Sequence, residues 1–340
     1  MAGDTFPKFK AAAVHAASPF LDREAGVAKT VRLIEEAASA GARLIVFPET
    51  FIPGYPFWIW THTPATGGPF FMELFANSVE VPSAATEAIG AAARKAGAFV
   101  SIGISEREGG TLYNTLLHFG DDGALIGHHR KLVPTCVERT VWGRGDGAGL
   151  KIIPTKLGKI GGLICWEHSM DLARYALTAQ GEQIHIAVWP AGSALTHDPS
   201  SGVFDDLTEA ASRHHAAAGQ CFVINVQCCI DAHTVERLGF KDRPEMIRTG
   251  GGWSAIIAPT GQILAGPHRD TETILYADID MAMIGMFKYV SDSAGHYARP
   301  DVLSLNVNFE RQRIMQTSVL PGVLDSRAHQ PITEDEAQLS

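Results

Sequence analysis

The chain has 340 residues, 46% of them hydrophobic and 19% charged, which is ample apolar material for a large soluble core. A formal net charge of -9 without any basic run argues against a nucleic-acid binder, because nothing would neutralise phosphates. Five cysteines (Cys136, Cys165, Cys221, Cys228, Cys229) form no even framework and no Cys-x-x-Cys pair, the usage of a reducing compartment.

The opening "KFKAAAVHAASPF" mimics a signal peptide, but its apolar run is short and broken by His15, so it is read as a first strand. No segment approaches the ~18 apolar residues of a membrane span, and a cytoplasmic protein without a membrane partner is expected. Next, residues 23–42 place Val27, Val31, Ile34 and Ala38 on one helical face, with Gly41 at the stop. "RLIVFPE" is a buried strand. A helix over 84–96 leads into the strand "AFVSIGIS", and "TLYNTLLHFGDDGALIGHHRK" is a hairpin around Gly-Asp-Asp-Gly. "GKIGGLIC" is a strand, followed by a helix over 172–180 and the strand "IHIAVWP". A helix over 205–218, the strand "CFVINVQ", the hairpin "WSAIIAPTGQILA" and the strand "TILYADID" complete the pattern.

Helices alternating with strands and hairpins imply layered α/β architecture with mixed sheets. No linker divides the chain. A single domain over 1–310 is expected, then a C-terminal extension over 311–340 whose polar, acidic end reads as a disordered tail.

Three residues sit where strands hand over to loops: Glu49 after "LIVFP", Lys131 after "ALIGHHR" and Cys165 after "IGGLI". Rigid strands can aim such residues at one point. A thiol with a reference pKa near ~8.5 needs a base and a nearby cation to act as a nucleophile. Glu49 suits the base and Lys131 the cation. The backbone N–H of Trp166 is a second donor for developing charge. Glu138, seven residues beyond Lys131, can supply the countercharge a buried lysine requires.

Four ordered blocks, "PET", "HRK", "VERTVWG" and "CWEH", carry a resemblance to the nitrilase superfamily of carbon-nitrogen hydrolases over nearly all of residues 8–300. The resemblance implies an α-β-β-α sandwich, two mixed sheets covered by helices, with Glu49, Lys131 and Cys165 as a catalytic triad and Glu138 as the second glutamate. Trp166-Glu167-His168 after the cysteine, "GYPFWIW" and "VWGRGDG" resemble the nitrilase branch, whose substrates are organic nitriles and water. Cyanide-degrading and amidase members remain alternatives, as do an inactive scaffold and a redox protein. Against the last two stand the intact Glu, Lys, Glu and Cys set and the lack of a resolving cysteine.

Tyr55, Trp142 and Trp166 lie inside the matched blocks and are expected to wall the substrate pocket. His128-His129 and His214-His215 are not expected to bind metal: neighbours on a strand face opposite ways, and neither pair has a Cys or carboxylate at ligand spacing. No cofactor is expected. The resemblance also implies a homodimer or larger homo-oligomer. The helix over 169–180 carries Met170, Ala173 and Leu177 in a stripe that Leu172 and Ala176 widen, and "DVLSLNVNFERQRIM" has no obvious partner strand. Both are candidates to meet a second copy.

Overall fold

Alternation along single strands sets up two faces. In β1 (Lys8–His15), Ala11 and Ala13 pack between two sheets while Ala12 and Val14 meet helices on the outer side. The computed structural model describes residues 6–198 and 200–312. Residues up to Glu310 form one compact unit. The extension beyond Gln312 lies outside the described residues.

After β1 come α1 (Arg23–Ser39), β2 (Ala42–Val46), α2 (Trp58–Thr61), α3 (Pro64–Asn77), α4 (Ala84–Ala96), β3 (Phe99–Glu108), β4 (Thr111–Phe119) and β5 (Leu125–Arg130). A second run follows: β6 (Ile153–Pro154), β7 (Lys159–Ile164), α5 (Asp171–Ala179), β8 (Ile184–Trp189), α6 (Ser201–Gly219) and β9 (Phe222–Gln227). Then come α7 (Ala232–Arg237), β10 (Ser254–Ile257), β11 (Ile263–His268), β12 (Thr273–Asp280) and α8 (Ala282–Val290).

One sheet has the order β12-β1-β2-β3-β4-β5 and the other β11-β10-β9-β8-β7-β6. Each has three parallel strands at its centre, β1 to β3 and β7 to β9, flanked by antiparallel neighbours. The expected sandwich of two mixed sheets covered by helices is the observed fold. Between the sheets, Leu44, Val46 and Leu116 meet Ile164, Ile186 and Ile224. Each such side chain, fully buried, is worth about 1.5–3 kcal/mol relative to exposure.

Capping and patterning explain the helices that the sequence announces. Asp22 accepts from the Ala25 amide at 2.9 Å to start α1. Left-handed Gly97 (φ 58°) ends α4, whose Ile89, Ala92 and Ala93 cover the first sheet. Four helices are not foreseen by the pattern: α2, α3, α7 and α8. In α3 a Gly-Gly-Pro sequence hides the helical signal, yet Thr63 caps it, Pro64 occupies its first turn, and Phe70, Leu74 and Phe75 join an aromatic cluster with Phe20 and Trp58. Tertiary packing overrides propensity there.

The α5 stripe divides. Ala173, Ala176 and Leu177 cover Leu163 of the second sheet, whereas Leu172 is 70% exposed. Beyond α8, Leu305 and Val307 pack on that same cluster in their own chain, while Val302 and Leu303 stay exposed. No helix among the described residues is long and apolar enough to cross a membrane.

Candidate active site

Three loops converge at the ends of β2, β5 and β7, and each contains a non-glycine residue forced into the left-handed region: Thr50 (φ 44°), Cys136 (φ 47°) and Cys165 (φ 53°). Such backbone costs on the order of 1–3 kcal/mol per residue and persists only where the surroundings over-determine it. Glu49 is aimed by the continuation of the β2–β3 pairing. Phe47 N donates to Ser101 O at 2.8 Å and Gly103 N to Pro48 O at 3.1 Å. Lys131 extends β5, its amide donating to Asn114 O on β4 at 2.8 Å. Glu138 stands on a short 3-10 turn, Cys136–Thr140, and Cys165 begins another, Cys165–Ser169.

The side chains of Glu49, Lys131, Glu138 and Cys165 meet in one buried cluster. The Lys131 ammonium donates to Glu49 Oε1 at 2.9 Å and to Glu138 Oε2 at 2.8 Å. Asn114 Nδ2 donates to Glu49 Oε1 at 2.5 Å, and the Thr135 amide to Glu138 Oε2 at 2.7 Å. Glu49 Oε2 keeps its lone pairs free of protein donors. One oxygen of each glutamate and the Cys165 sulfur lie within 4.8 Å of one another.

Burial dominates the electrostatics. It pushes the Glu49 carboxyl up to about 7, with Lys131 opposing and Glu138 adding to the shift. It also pushes the Cys165 thiol well above its usual range, against the pull of Lys131. For Lys131 burial works against the charge, but Cys165 once it is a thiolate, and Glu138 and Glu49, raise its pKa well above the usual range. The resting set is therefore a thiol, a cation, and a carboxyl group poised to exchange a proton near neutrality.

A family model described as carbon-nitrogen hydrolase matches residues 10–289. A prokaryotic protein named "Nitrilase 3", of unknown organism, is 44% identical over 88% of this chain and 90% of its own. An "Aliphatic nitrilase" from Rhodococcus rhodochrous is 42% identical over 92% of this chain and 86% of its own. Among solved structures, Nit3 of Saccharomyces cerevisiae, titled a member of branch 10 of the nitrilase superfamily, matches 85% of this chain and 96% of its own. Its TM-score is 0.65 at 21% identity, a likeness of fold. The chain belongs to the carbon-nitrogen hydrolase family. The four sequence blocks pointed to it.

In this hydrolase a pocket opens onto Cys165, walled by Tyr55, Trp60, Trp166, Leu195 and Phe204, with Thr135 and Asp198 among its polar members. Tyr55 does more than wall it. Its hydroxyl donates to Glu138 Oε1 at 2.8 Å and accepts from Trp60 Nε1 at 3.0 Å. Burial and the neighbouring Glu138 raise its pKa well above the usual range, so it stays a donor. Trp166 lies on the wall, edge-on to Phe204, and its backbone N–H favours the Cys165 thiolate. Trp142 stands apart from the pocket lining. It packs edge-on behind Tyr55 and donates to Ser105 Oγ at 3.1 Å.

Sequence reasoning assigned no role to Asn114, His129 or Glu167. Glu167 accepts from the Leu132 amide through Oε1 and from the Ile164 amide through Oε2, both at 2.7 Å. It thereby fastens the Lys131 strand end to the Cys165 strand end, and His129 pairs with it at 3.0 Å. The only signal was its place in "CWEH" directly after the nucleophile candidate.

The histidine pairs do split across faces, His128 to Glu106 and His129 to Glu167. The spacing argument for His215 fails in space, however, because the fold brings Glu182 and His185 to it with three donor atoms within 4.8 Å. Hydrogen bonds engage those atoms.

Proposed function

We propose that this enzyme is a nitrilase that converts an organic nitrile and water to the carboxylic acid and ammonia. The observation that carries the reading is a thiol, a carboxyl pushed up to about 7 and a buried ammonium, gathered at the end of an aromatic-walled pocket. Relatives named nitrilases support it. An apolar wall suits a nitrile with a carbon substituent; hydrogen cyanide would have nothing to place there.

Glu49 takes the Cys165 proton as sulfur attacks the nitrile carbon, and returns it to nitrogen to give a thioimidate. Glu49 then deprotonates a water, which adds to the same carbon. The tetrahedral intermediate is held by the Lys131 ammonium and the Trp166 N–H. Glu49 passes the water proton to nitrogen and then relays the hydroxyl proton to it as well, so ammonia leaves as the C–OH becomes a carbonyl, forming a thioester. A second water breaks the C–S bond, releasing the acid and restoring the thiol. Expulsion of sulfur from the tetrahedral intermediate instead yields the amide.

We take residues 1–310 as the catalytic domain, working in the cytoplasm as a homodimer or larger homo-oligomer. Ammonia release from a panel of aromatic, arylacetic, aliphatic and dinitrile substrates, beside the corresponding amides and cyanide, tests the reading. Turnover of nitriles that is lost in Cys165→Ala and kept in Cys228→Ala is expected. Turnover of amides or cyanide alone overturns it.

A further inference from the structure

Behind Cys165 runs a chain of buried side chains that the reaction above leaves unused. His168 Nδ1 lies 2.7 Å from the Cys165 carbonyl oxygen, and His168 Nε2 lies 2.9 Å from His185 Nε2 on β8. His185 Nδ1 lies 2.8 Å from Glu182 Oε1, and Glu182 Oε2 lies 2.8 Å from His215 Nε2 on α6. All four residues are buried, and His168 stacks on Trp189 at 4.7 Å. The site is built to fit them: a Cβ on Gly161 would collide with Glu182 Oε1.

Donor counting fixes the protons. A carbonyl oxygen only accepts, so His168 Nδ1 carries a hydrogen. Burial disfavours charge on His168, and the neutral ring offers a lone pair at Nε2 to which His185 Nε2 donates. The other His185 nitrogen faces a carboxylate, which accepts. Facing that lone pair on one side and a carboxylate on the other, His185 offers a hydrogen to each, and the second Glu182 oxygen accepts from His215. Burial, reinforced by His185, pushes His168 well below its usual range, and burial brings His215 down to about 4. Burial alone would raise Glu182, but His185 and His215 hold it down to about 2. Arg174 of α5, bonded to His214, adds a further cation that disfavours charge on His168 and His215.

We propose that the Glu182–His185 pair positions the nucleophile, locking His168 in the tautomer whose Nδ1–H holds the Cys165 carbonyl. The inference rests on Cys165 being the nucleophile of the proposed reaction. The Cys165 carbonyl and the Trp166 N–H belong to one trans peptide unit, so they point in opposite directions. Holding the oxygen on His168 therefore fixes the rotation of that peptide plane about the Cys165 Cα–C bond, and with it the direction of the Trp166 N–H beside the nucleophile. His168, His185 and Glu182 touch neither substrate nor reacting atoms. They act through the peptide plane.

Nitrogen-15 NMR of the full-length protein with labelled histidines tests the chain directly. We expect hydrogen on both His185 nitrogens and on Nδ1 alone of His168. In Glu182→Gln the amide can still donate to His185 Nδ1 and accept from His215, so His185 should turn neutral while the His168 tautomer persists. In kinetics, His168→Leu and His185→Phe should lower kcat by about ten- to a hundredfold at nearly constant KM, the scale of a misplaced reacting group. His168→Asn, which keeps a donor for the Cys165 carbonyl, should recover most of that loss.

A His168 proton on Nε2, a neutral His185 in the natural protein, unchanged kcat in both apolar variants, or stoichiometric zinc held by these residues would each overturn the proposal. Should the variants fail to fold, the spectrum of the natural protein decides alone. An intact histidine spectrum in a protein that releases no ammonia from nitriles would strike the proposed function, not the tautomer chain.

Discussion

The Tyr55 hydroxyl donates to Glu138 Oε1 at 2.8 Å, so a residue expected only to wall the pocket also completes the shell of the carboxylate that holds Lys131. A buried carboxylate with one oxygen stripped of its donor is a poorer and less fixed partner for the ammonium. Tyr55→Phe should lower kcat by about tenfold, and Glu138→Gln by about a hundredfold or more, the cost of breaking a buried pair. Lys131→Arg should fail as well, since a planar fork cannot replace a compact ammonium between two carboxylates. Steady-state ammonia assays decide it: near-normal rates in Glu138→Gln and Lys131→Arg would end the electrostatic account.

Glu49 gives the reaction its pH dependence. Only its carboxylate form accepts a proton, and burial has brought that carboxyl up to about 7. The rate should therefore climb as pH rises through about 7 and level off above it. The hydrogen bond from Asn114 pulls the other way, stabilising the carboxylate. Asn114→Leu should then move the acid limb to higher pH. A limb that stays put in this variant, measured as kcat/KM against pH, would remove Glu49 from the role of base.

The fold, three strand-end residues and Glu138, seven residues beyond Lys131, were legible because they depend on local signals. Strands announce themselves by apolar runs, and Glu49, Lys131 and Cys165 fall at their ends. What stayed hidden depends on long-range closure. Asn114 lies in mid-strand and looks like any polar position of β4 until Glu49, 65 residues away, is folded onto it. Glu182, His185 and His215 come from a loop, a strand and a helix, and no spacing rule joins them. Trp142 is the opposite case. Its matched block was legible, but a block cannot say which layer behind the pocket a side chain occupies.

Glu167 should matter for stability as well as rate. Its two oxygens accept the Leu132 and Ile164 amides, and an amide in its place would turn an NH2 toward one of those donors. Glu167→Gln should cost about 3 kcal/mol, read from the urea midpoint, with kcat falling because the two strand ends drift apart. The pair with His129 also sets a pH window. Burial opposes both charges, yet each partner holds the other's, so the Glu167 pKa is lowered from 4.5 and the His129 pKa raised from 6.5. The carboxylate's contribution is full above 4.5 and fades as pH falls; that of His129 is full below 6.5 and fades as pH rises past its raised value. Stability lost by the variant should be largest between those limits. A loss independent of pH would contradict the ion pair.

The proposed homo-oligomer would have to cover exposed apolar residues. Leu172 on α5 and Met286, Tyr289 and Val290 on α8 stand well out of their own chain's packing, and an uncovered group of this kind favours association. Leu172→Glu and Tyr289→Glu should each shift the protein toward the monomer in light scattering while leaving the fold intact. A natural protein that is active and monomeric at low concentration would remove the dimer requirement.

Gly103 gives the sharpest test of how the fold places Glu49. An added Cβ would collide with Thr50 N and lie 2.5 Å from Pro48 O and 2.7 Å from Glu49 Cα, all backbone atoms that no rotamer change can move aside. The same glycine donates from its amide to Pro48 O and accepts from the Ile52 amide, so β3 grips the Glu49 turn from both sides. Gly103→Ala must push that turn away, lengthening the 2.9 Å contact between Glu49 and Lys131. Overpacking of this kind costs about 1–3 kcal/mol, and a base displaced by about an ångström loses about a hundredfold in rate. The expected outcome is a folded protein with a modestly lower melting temperature and a kcat reduced far more than its stability. Should Gly103→Ala match the natural protein in both kcat and Tm, β3 does not hold the turn.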